Sequence, residues 1–473
     1  MSSPIHFTGE NQSNDVRTQV TQTEPLAMRT YTPTQAVIAK SAGVFHWTLE
    51  GRRLYDFSSG VLVANLGHNP SRWMKRFGEY MGWTPETFGT SVDDSEFVEA
   101  APMTAYNAVT PVEVQANSRL LASVRATPHG SRLNQLMWAA SGSEAVQKAL
   151  WACLHRDPKR DIILASRYGF HGKKGLAGAV TGSENSPDRD PRVKFFGFPM
   201  EEIADGYFRN RDIDLVPYQD ELHRLQKEFG SRLNVMITEP YLGGGGSYHP
   251  PASYLQMLVN FCQAHDIMFI LDEVQANFGR TGSMYAFEAY GIEPDFVTLG
   301  KGMGNGVPVA AVAGRSDVMS SLSYGEASDT WSANPLASAS VLATLDEFEG
   351  TDVMDRTRHL SGIFRTGLER LKETGLITKV RGEGLVFGIE AKGQGDLSAK
   401  DVANALVEAA YLGEEGGDGI HLLGALAGTV LRVSPPMCMT DQQAKESLEL
   451  LYGICERTAI RLRETAVGAG ARS

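Results

Sequence analysis

The stretch FILDEVQANFGRTG, Phe269 to Gly282, carries an apolar run straight into two adjacent carboxylates and then into a polar loop ending in Arg-Thr-Gly. An ionised carboxylate is costly to bury unless something pairs with it, so Asp272 and Glu273 ask for a partner that their neighbours in sequence do not supply. Taken alone, the segment reads as a strand end whose acids meet solvent, cap the next turn or accept backbone N–H groups. What the acids do depends on what the rest of the chain brings to the same place.

Working outward, similar apolar runs recur through the middle of the chain: LNQLMWAA, DIILAS, NVMITEP, DFVTLGK and VPVAAVAG. They alternate with helical segments. In SEAVQKALWACLHR the residues Ala145, Val146, Ala149, Leu150, Cys153 and Leu154 recur with a helical period. This alternation predicts an α/β fold with a mostly parallel central sheet flanked by helices. Before it, VFHW and RLYDFSSG suggest a small sheet, and after it LVFGIE and TVLRVSP lie among helices, which predicts a smaller α+β domain. The expected divisions are an irregular, flexible arm over residues 1–30, the first part of the small domain over 31–75, the large domain over 76–345 and the rest of the small domain over 346–473.

The 473 residues are 42% hydrophobic, enough for a large buried core. A net charge of −12 argues against nucleic acid or an anionic membrane as the main partner. Four cysteines stand far apart without metal-ligand spacing, which fits reduced thiols in a cytoplasmic protein and leaves no metal site to expect. The first residues show no basic start followed by an apolar block, and no apolar run reaches the length of a membrane span.

Ligands of open α/β sheets bind beyond the carboxyl ends of the strands. After MWAA comes SGSEA, where the hydroxyls of Ser141 and Ser143 and the free N–H groups of a helix start suit a phosphate or merely cap the helix. Glu239 ends another run. Lys301 follows DFVTLG inside GKGMGNGVP, which lacks the Ser or Thr of a P-loop and leads into a strand instead of the helix of a dinucleotide site. A lysine held in such a turn loses solvation and becomes a nucleophile for an aldehyde. Pyridoxal 5′-phosphate (PLP) needs an amine for its aldehyde, an acid facing its ring nitrogen, an aromatic plate and an anion pocket. Lys301 and Asp272 answer the first two needs.

From Val44 to beyond Arg432 the chain also resembles the class III aminotransferases, of the omega-transaminase type and PLP fold type I, through FILDEVQANFGRTG, PDFVTLGKGMGNGVPVAAV, SGSEAVQKAL, GFHGKKGLAG and DTWSANPLA in that order. The resemblance implies that Lys301 condenses with the cofactor aldehyde and that Asp272 meets the pyridine nitrogen. It also implies that Gln275 binds the ring hydroxyl, that Phe170 stacks on the ring beside His171, and that Gly142 and Ser143 take the phosphate. Thr330 would reach that phosphate from a partner subunit, so a homodimer or dimer of dimers is expected. Glu239 matches the family's Glu-Pro motif near the cofactor. Two departures concern substrate carboxylates: Lys173 stands in FHGKK where many members have arginine, and Gly244 stands in EPYLGGGG where ornithine-type relatives have the glutamate that pairs with the counterpart of Arg432.

The resemblance implies an aminotransferase that moves an amino group from an omega-amino acid or primary amine to a 2-oxo acid, pyruvate or 2-oxoglutarate. Arg432 and Lys173 are the expected partners of substrate carboxylates. Leu62, with Val61 and Val63 in GVLVANLGH, is either plain core or an apolar wall for the donor's methylenes. The alternatives are an aminomutase, a racemase or a decarboxylating transaminase with nearly the same cofactor shell, and a catalytically silent binding protein on this scaffold.

Overall fold

In the computed structural model, which describes residues 4–89, 97–186, 189–414 and 417–470, the apolar runs are strands, all but LNQLMWAA buried along their whole length. The chain divides into two units. One comprises Met1–Asn69, Ala204–Gly206 and Asp355–Ser473; the other comprises Pro70–Ile203 and Tyr207–Met354. The boundaries therefore fall at 69/70 and 354/355, where the sequence reading sets 75/76 and 345/346. Ala204–Gly206 joins the first unit through the bond from Gly206 N to Val380 O and an ion pair between Asp205 and Lys372.

The first unit begins with a correction. Residues read as an irregular arm form a helix, α1 (Asn11–Thr23), whose buried side chains are Ser13, Asn14 and Arg17. Hydrophobic periodicity cannot reveal a helix that buries polar groups. Arg17 is instead held by Glu10 at 2.8 Å and by the Tyr411 hydroxyl at 3.0 Å, all buried. Strands β1 (Lys40–Ala42), β2 (Phe45–Trp47) and β3 (Arg53–Asp56) follow as an antiparallel meander.

The second unit holds β4 (Gln135–Ala139), β5 (Ile162–Ser166), β6 (Val193–Phe196), β7 (Leu233–Thr238), β8 (Met268–Asp272), β9 (Phe296–Leu299) and β10 (Ala310–Gly314) in one seven-stranded sheet, ordered β4-β10-β9-β8-β7-β5-β6. Neighbours from β9 to β6 run parallel, and β10 is antiparallel to both β4 and β9. Every residue of β5, β7, β8 and β9 is buried, which is why these strands read as unbroken apolar runs without alternation. Helix α2 (Gly142–Arg156) packs Ala145, Val146, Ala149 and Cys153 on Ile163, Val235, Ile237 and Ile270 of the sheet. Each fully buried valine or isoleucine side chain among these contributes roughly 1.5–3 kcal/mol.

The first unit resumes with β11 (Ile377–Glu383), β12 (Val386–Ala391), β13 (Gly419–His421) and β14 (Val430–Val433). β11, β12 and β14 form an antiparallel sheet, while β13 adds to β3 in parallel. The cysteines are free thiols, three of them buried. Among the described residues no helix is long and apolar enough to cross a membrane.

Candidate active site

Register brings the chemical groups of the second unit to one edge of its sheet. Asp272, the last residue of β8, is the pairing partner of Thr298 on β9. Lys301 follows β9 by two residues and opens a short turn, so amine and acid leave neighbouring parallel strands at the same carboxyl end. Lys301 has φ +49°, a left-handed conformation that a lysine adopts only where its surroundings impose it.

Asp272 is buried and held from both sides. Its Oδ2 lies 2.7 Å from His171 Nδ1, while Oδ1 accepts from Thr298 Oγ1 at 2.8 Å and from Val274 N at 3.1 Å. The adjacent acid does something else. Glu273 accepts from the backbone N–H groups of Ala286 at 2.6 Å and Phe287 at 2.7 Å, where a short helix begins. Burial pushes its carboxyl up to about 8, against the opposing pull of those two bonds. Glu273 is therefore a clasp on the backbone of a later segment, whereas Asp272 faces an imidazole.

Glu239, at the end of β7, receives a definite role. It accepts from Phe170 N at 2.9 Å and Gly243 N at 3.3 Å, and its Oε1 lies 3.5 Å from Gln275 Nε2. One buried carboxyl thus fixes the backbone of the aromatic residue, the glycine loop after β7 and the side chain of Gln275. Burial first, and the neighbouring Asp272 with it, push its carboxyl up to about 7, with His171 opposing.

Ser141 caps α2 by accepting from Glu144 N at 3.3 Å, which aims the first N–H groups of this helix at the same edge. At Gly142 an added Cβ would lie 2.9 Å from Val274 Cγ1, so the valine sits directly against the helix start. Phe170 keeps 40% of its surface exposed, an aromatic face available for stacking. Its Cβ lies 3.0 Å from where a Cβ on Gly244 would stand, so the glycine lets Phe170 approach closely.

The remaining expected residues are placed as follows. Lys173 is exposed on the loop after His171, and Thr330 is exposed between Asp329 and Trp331. Arg432 and Leu62 belong to the first unit: Arg432 is buried on β14, opposite Gly388 of β12, and Leu62 is buried in a turn that leaves Val61 exposed. Sequence reasoning missed Thr298 and Val274 as supports of the acid; the residue facing Asp272 across the sheet becomes visible only once the register is known.

The residues fit PLP. A fixed buried carboxyl, an amine just beyond the adjacent strand, a half-exposed aromatic ring and the capped start of a long helix answer its four needs, and His171 Nε2, buried without a hydrogen bond among the described residues, marks a polar environment built around Asp272. A sequence model described as Aminotransferase class-III matches residues 96–454. The chain belongs to the class III aminotransferases. Members of this family use PLP and transfer amino groups. The chain is 27% identical over 439 residues to the acetylornithine aminotransferase of Caldanaerobacter subterraneus, covering 91% of this chain and 98% of that one. It is 28% identical over 461 residues to the leucine/methionine racemase of Thermococcus litoralis, covering 94% and 95%. Its fold is similar to that of a Toxoplasma gondii ornithine aminotransferase structure with partial occupancy of PLP at its active site, with TM-score 0.77, 22% identity and 96% coverage of both chains. This class III fold is PLP fold type I.

Proposed function

We propose that this aminotransferase takes its amino group from an omega-amino acid or longer primary amine and passes it to pyruvate or 2-oxoglutarate. The observation that carries the assignment of roles is the register of β8 and β9, which sets Asp272 and Lys301 at one strand mouth. When bound, PLP supplies an electrophilic aldehyde and a protonated ring that accepts the electron pair of the substrate's C–H bond. Asp272, steadied by His171 and Thr298, holds the ring proton. Lys301 Nζ would carry the proton from the donor's amine-bearing carbon to the former aldehyde carbon of the cofactor, and in the opposite direction when the 2-oxo acid is aminated. The N–H groups after Ser141, with Gly142 and Ser143, bind the phosphate. Phe170 and Val274 supply apolar faces, and Gln275 serves the ring hydroxyl.

Thr330 is exposed on a turn whose neighbour Asp329 is anchored to Lys148 at 2.6 Å and to Ser332 N at 2.7 Å. An exposed threonine on an anchored turn suits the role of serving a partner subunit, and a homodimer in the cytoplasm is the proposed setting. The donor class rests on the resemblance to omega-transaminases; Lys173 and Gly244 mark departures at the expected carboxylate contacts. The role of Arg432 toward the acid of the 2-oxo substrate rests on the resemblance alone.

The similarity to a racemase favours one second reading. A panel of omega-amino acids, primary amines and single-enantiomer α-amino acids, each with pyruvate or 2-oxoglutarate, separates the two. Alanine or glutamate formed chiefly from the long donors is expected. Inversion of an α-amino acid without any 2-oxo acid would replace transamination with racemisation.

A further inference from the structure

In the first unit, the four-stranded sheet gathers three imidazoles around one carboxylate. His46 on β2 pairs with Leu54 of β3, and Asp56 lies one pleat beyond Leu54, so both project from the same face. His421 on β13 stands beside Asp56 in parallel register. His68 arrives from the following loop, where its backbone exchanges both hydrogen bonds with Gly43 at 2.9 Å. The ring of His46 lies 4.5 Å from that of His68 and 5.4 Å from that of His421.

The carboxylate is divided between two tasks. Oδ1 accepts from Ser58 N and Ser58 Oγ, both at 2.7 Å, and from Ser59 N at 3.0 Å. Oδ2 faces His68 Nε2 at 2.7 Å and His46 Nε2 at 3.5 Å, and the three atoms lie within 4.8 Å of one another. Among the described residues, buried His46 Nε2 makes no well-formed hydrogen bond, and buried His421 Nδ1 makes none. Such orphaned nitrogens in an interior call for a partner. His46 Nδ1 lies 2.7 Å from Ser41 Oγ, the outer contact that sets the tautomer and orients the ring of a metal-binding histidine.

We propose that His46 Nε2, His68 Nε2 and Asp56 Oδ2 bind one divalent cation of the zinc class. A tetrahedral zinc with ligands at about 2.0–2.1 Å spaces their atoms roughly 3.3 Å apart. The 3.5 Å separation matches that spacing, and the 2.7 Å one opens slightly on binding. Water in the fourth position gives His421 Nδ1 its missing partner. The ion joins β2, β3 and the His68 loop. Through Oδ1 it steadies the turn in which Ser59, Gly60, Val61 and Leu62 have φ of +48°, +58°, +66° and +63°. Successive left-handed residues persist only where the surroundings fix them.

Full-length, PLP-loaded protein treated with a chelator and titrated with Co²⁺ or Zn²⁺ tests the site. One equivalent per chain is expected, with the visible d–d bands of four-coordinate Co²⁺ and a thermal midpoint raised by Zn²⁺. His46→Gln and His68→Gln each weaken Zn²⁺ binding about 100-fold or more, and His421→Asn, one contact further out, about tenfold. Circular dichroism checks that each variant is folded, and the wild-type titration stands without them. A wild-type chain that takes up no stoichiometric Co²⁺, or Zn²⁺ affinity unchanged in both glutamine variants, overturns the proposal. So does a thermal midpoint that follows pH and ignores Zn²⁺, which assigns the cluster to a protonated histidine paired with Asp56.

Discussion

Asp56 closes β3 in one unit and Asp272 closes β8 in the other, and each is buried with one carboxylate oxygen 2.7 Å from an imidazole nitrogen and the other accepting from backbone N–H, two groups at Asp56 and one at Asp272, together with a hydroxyl. The local solution for a buried strand-end acid is the same. What differs is the neighbouring strand. Beside Asp272, β9 brings Thr298 in register and then Lys301; beside Asp56, β13 brings His421 and β2 brings His46. The first arrangement suits a cofactor carrying an aldehyde and a ring nitrogen, and the second suits a cation. Chemistry is therefore set by the pairing of strands more than by the acid itself.

Substituting both acids breaks or sharpens this contrast most strongly. Asp272→Asn removes the charge that holds the ring proton, and turnover is expected to fall about 10³-fold, roughly 4 kcal/mol. Asp56→Asn leaves its imidazoles and turn without their anion, and stability is expected to fall by about 3 kcal/mol. Steady-state rates and denaturant midpoints for the two variants check this, and the contrast collapses if both lose turnover to the same degree.

A smaller effect is expected from Glu239. Its carboxyl is raised from 4.5 to about 7, so between these values the folded protein holds a proton that the unfolded chain has released. Stability conferred at low pH is therefore lost as pH rises through this window, on the order of 2 kcal/mol between about pH 5 and pH 7. Thermal midpoints of cofactor-free protein should show the decline, and Glu239→Gln should make it shallower, leaving the share that Glu273, raised to about 8, contributes over the same window. A decline of unchanged steepness in the variant would place its origin elsewhere.

The smallest change concerns Gly244→Ala. The added Cβ meets Phe170 Cβ at 3.0 Å, so the ring must shift by a few tenths of an ångström. A loss of about 1 kcal/mol is expected, read as a several-fold rise in the donor's KM. No change in KM would mean that Phe170 does not border the donor.

The sheet was legible because buried parallel strands write themselves as continuous apolar runs, and Asp272 with Lys301 because reactive groups stood at the ends of two such runs. β6 was not read, since its short VKFF interrupts the run with a lysine. Helix α1 escaped because its buried face is polar and its anchor, Tyr411, lies in a distant part of the chain. Glu273 could not be told from Asp272, because its partners are N–H groups of Ala286 and Phe287, which any sequence supplies. His46 and His421 gave no signal, because nothing in the order of residues shows that β13 pairs with β3.

The clasp at Glu273 also bears on entropy. The loop between Val274 and Tyr285 is held at its start by the bond from Val274 N to Asp272, and at its end by the two bonds that Glu273 accepts. Ordering a free loop costs roughly 1–2 kcal/mol per residue in backbone freedom. Here that cost falls on folding and is met once, so Gln275, which lies within the loop, needs no fresh ordering of its backbone in each catalytic cycle.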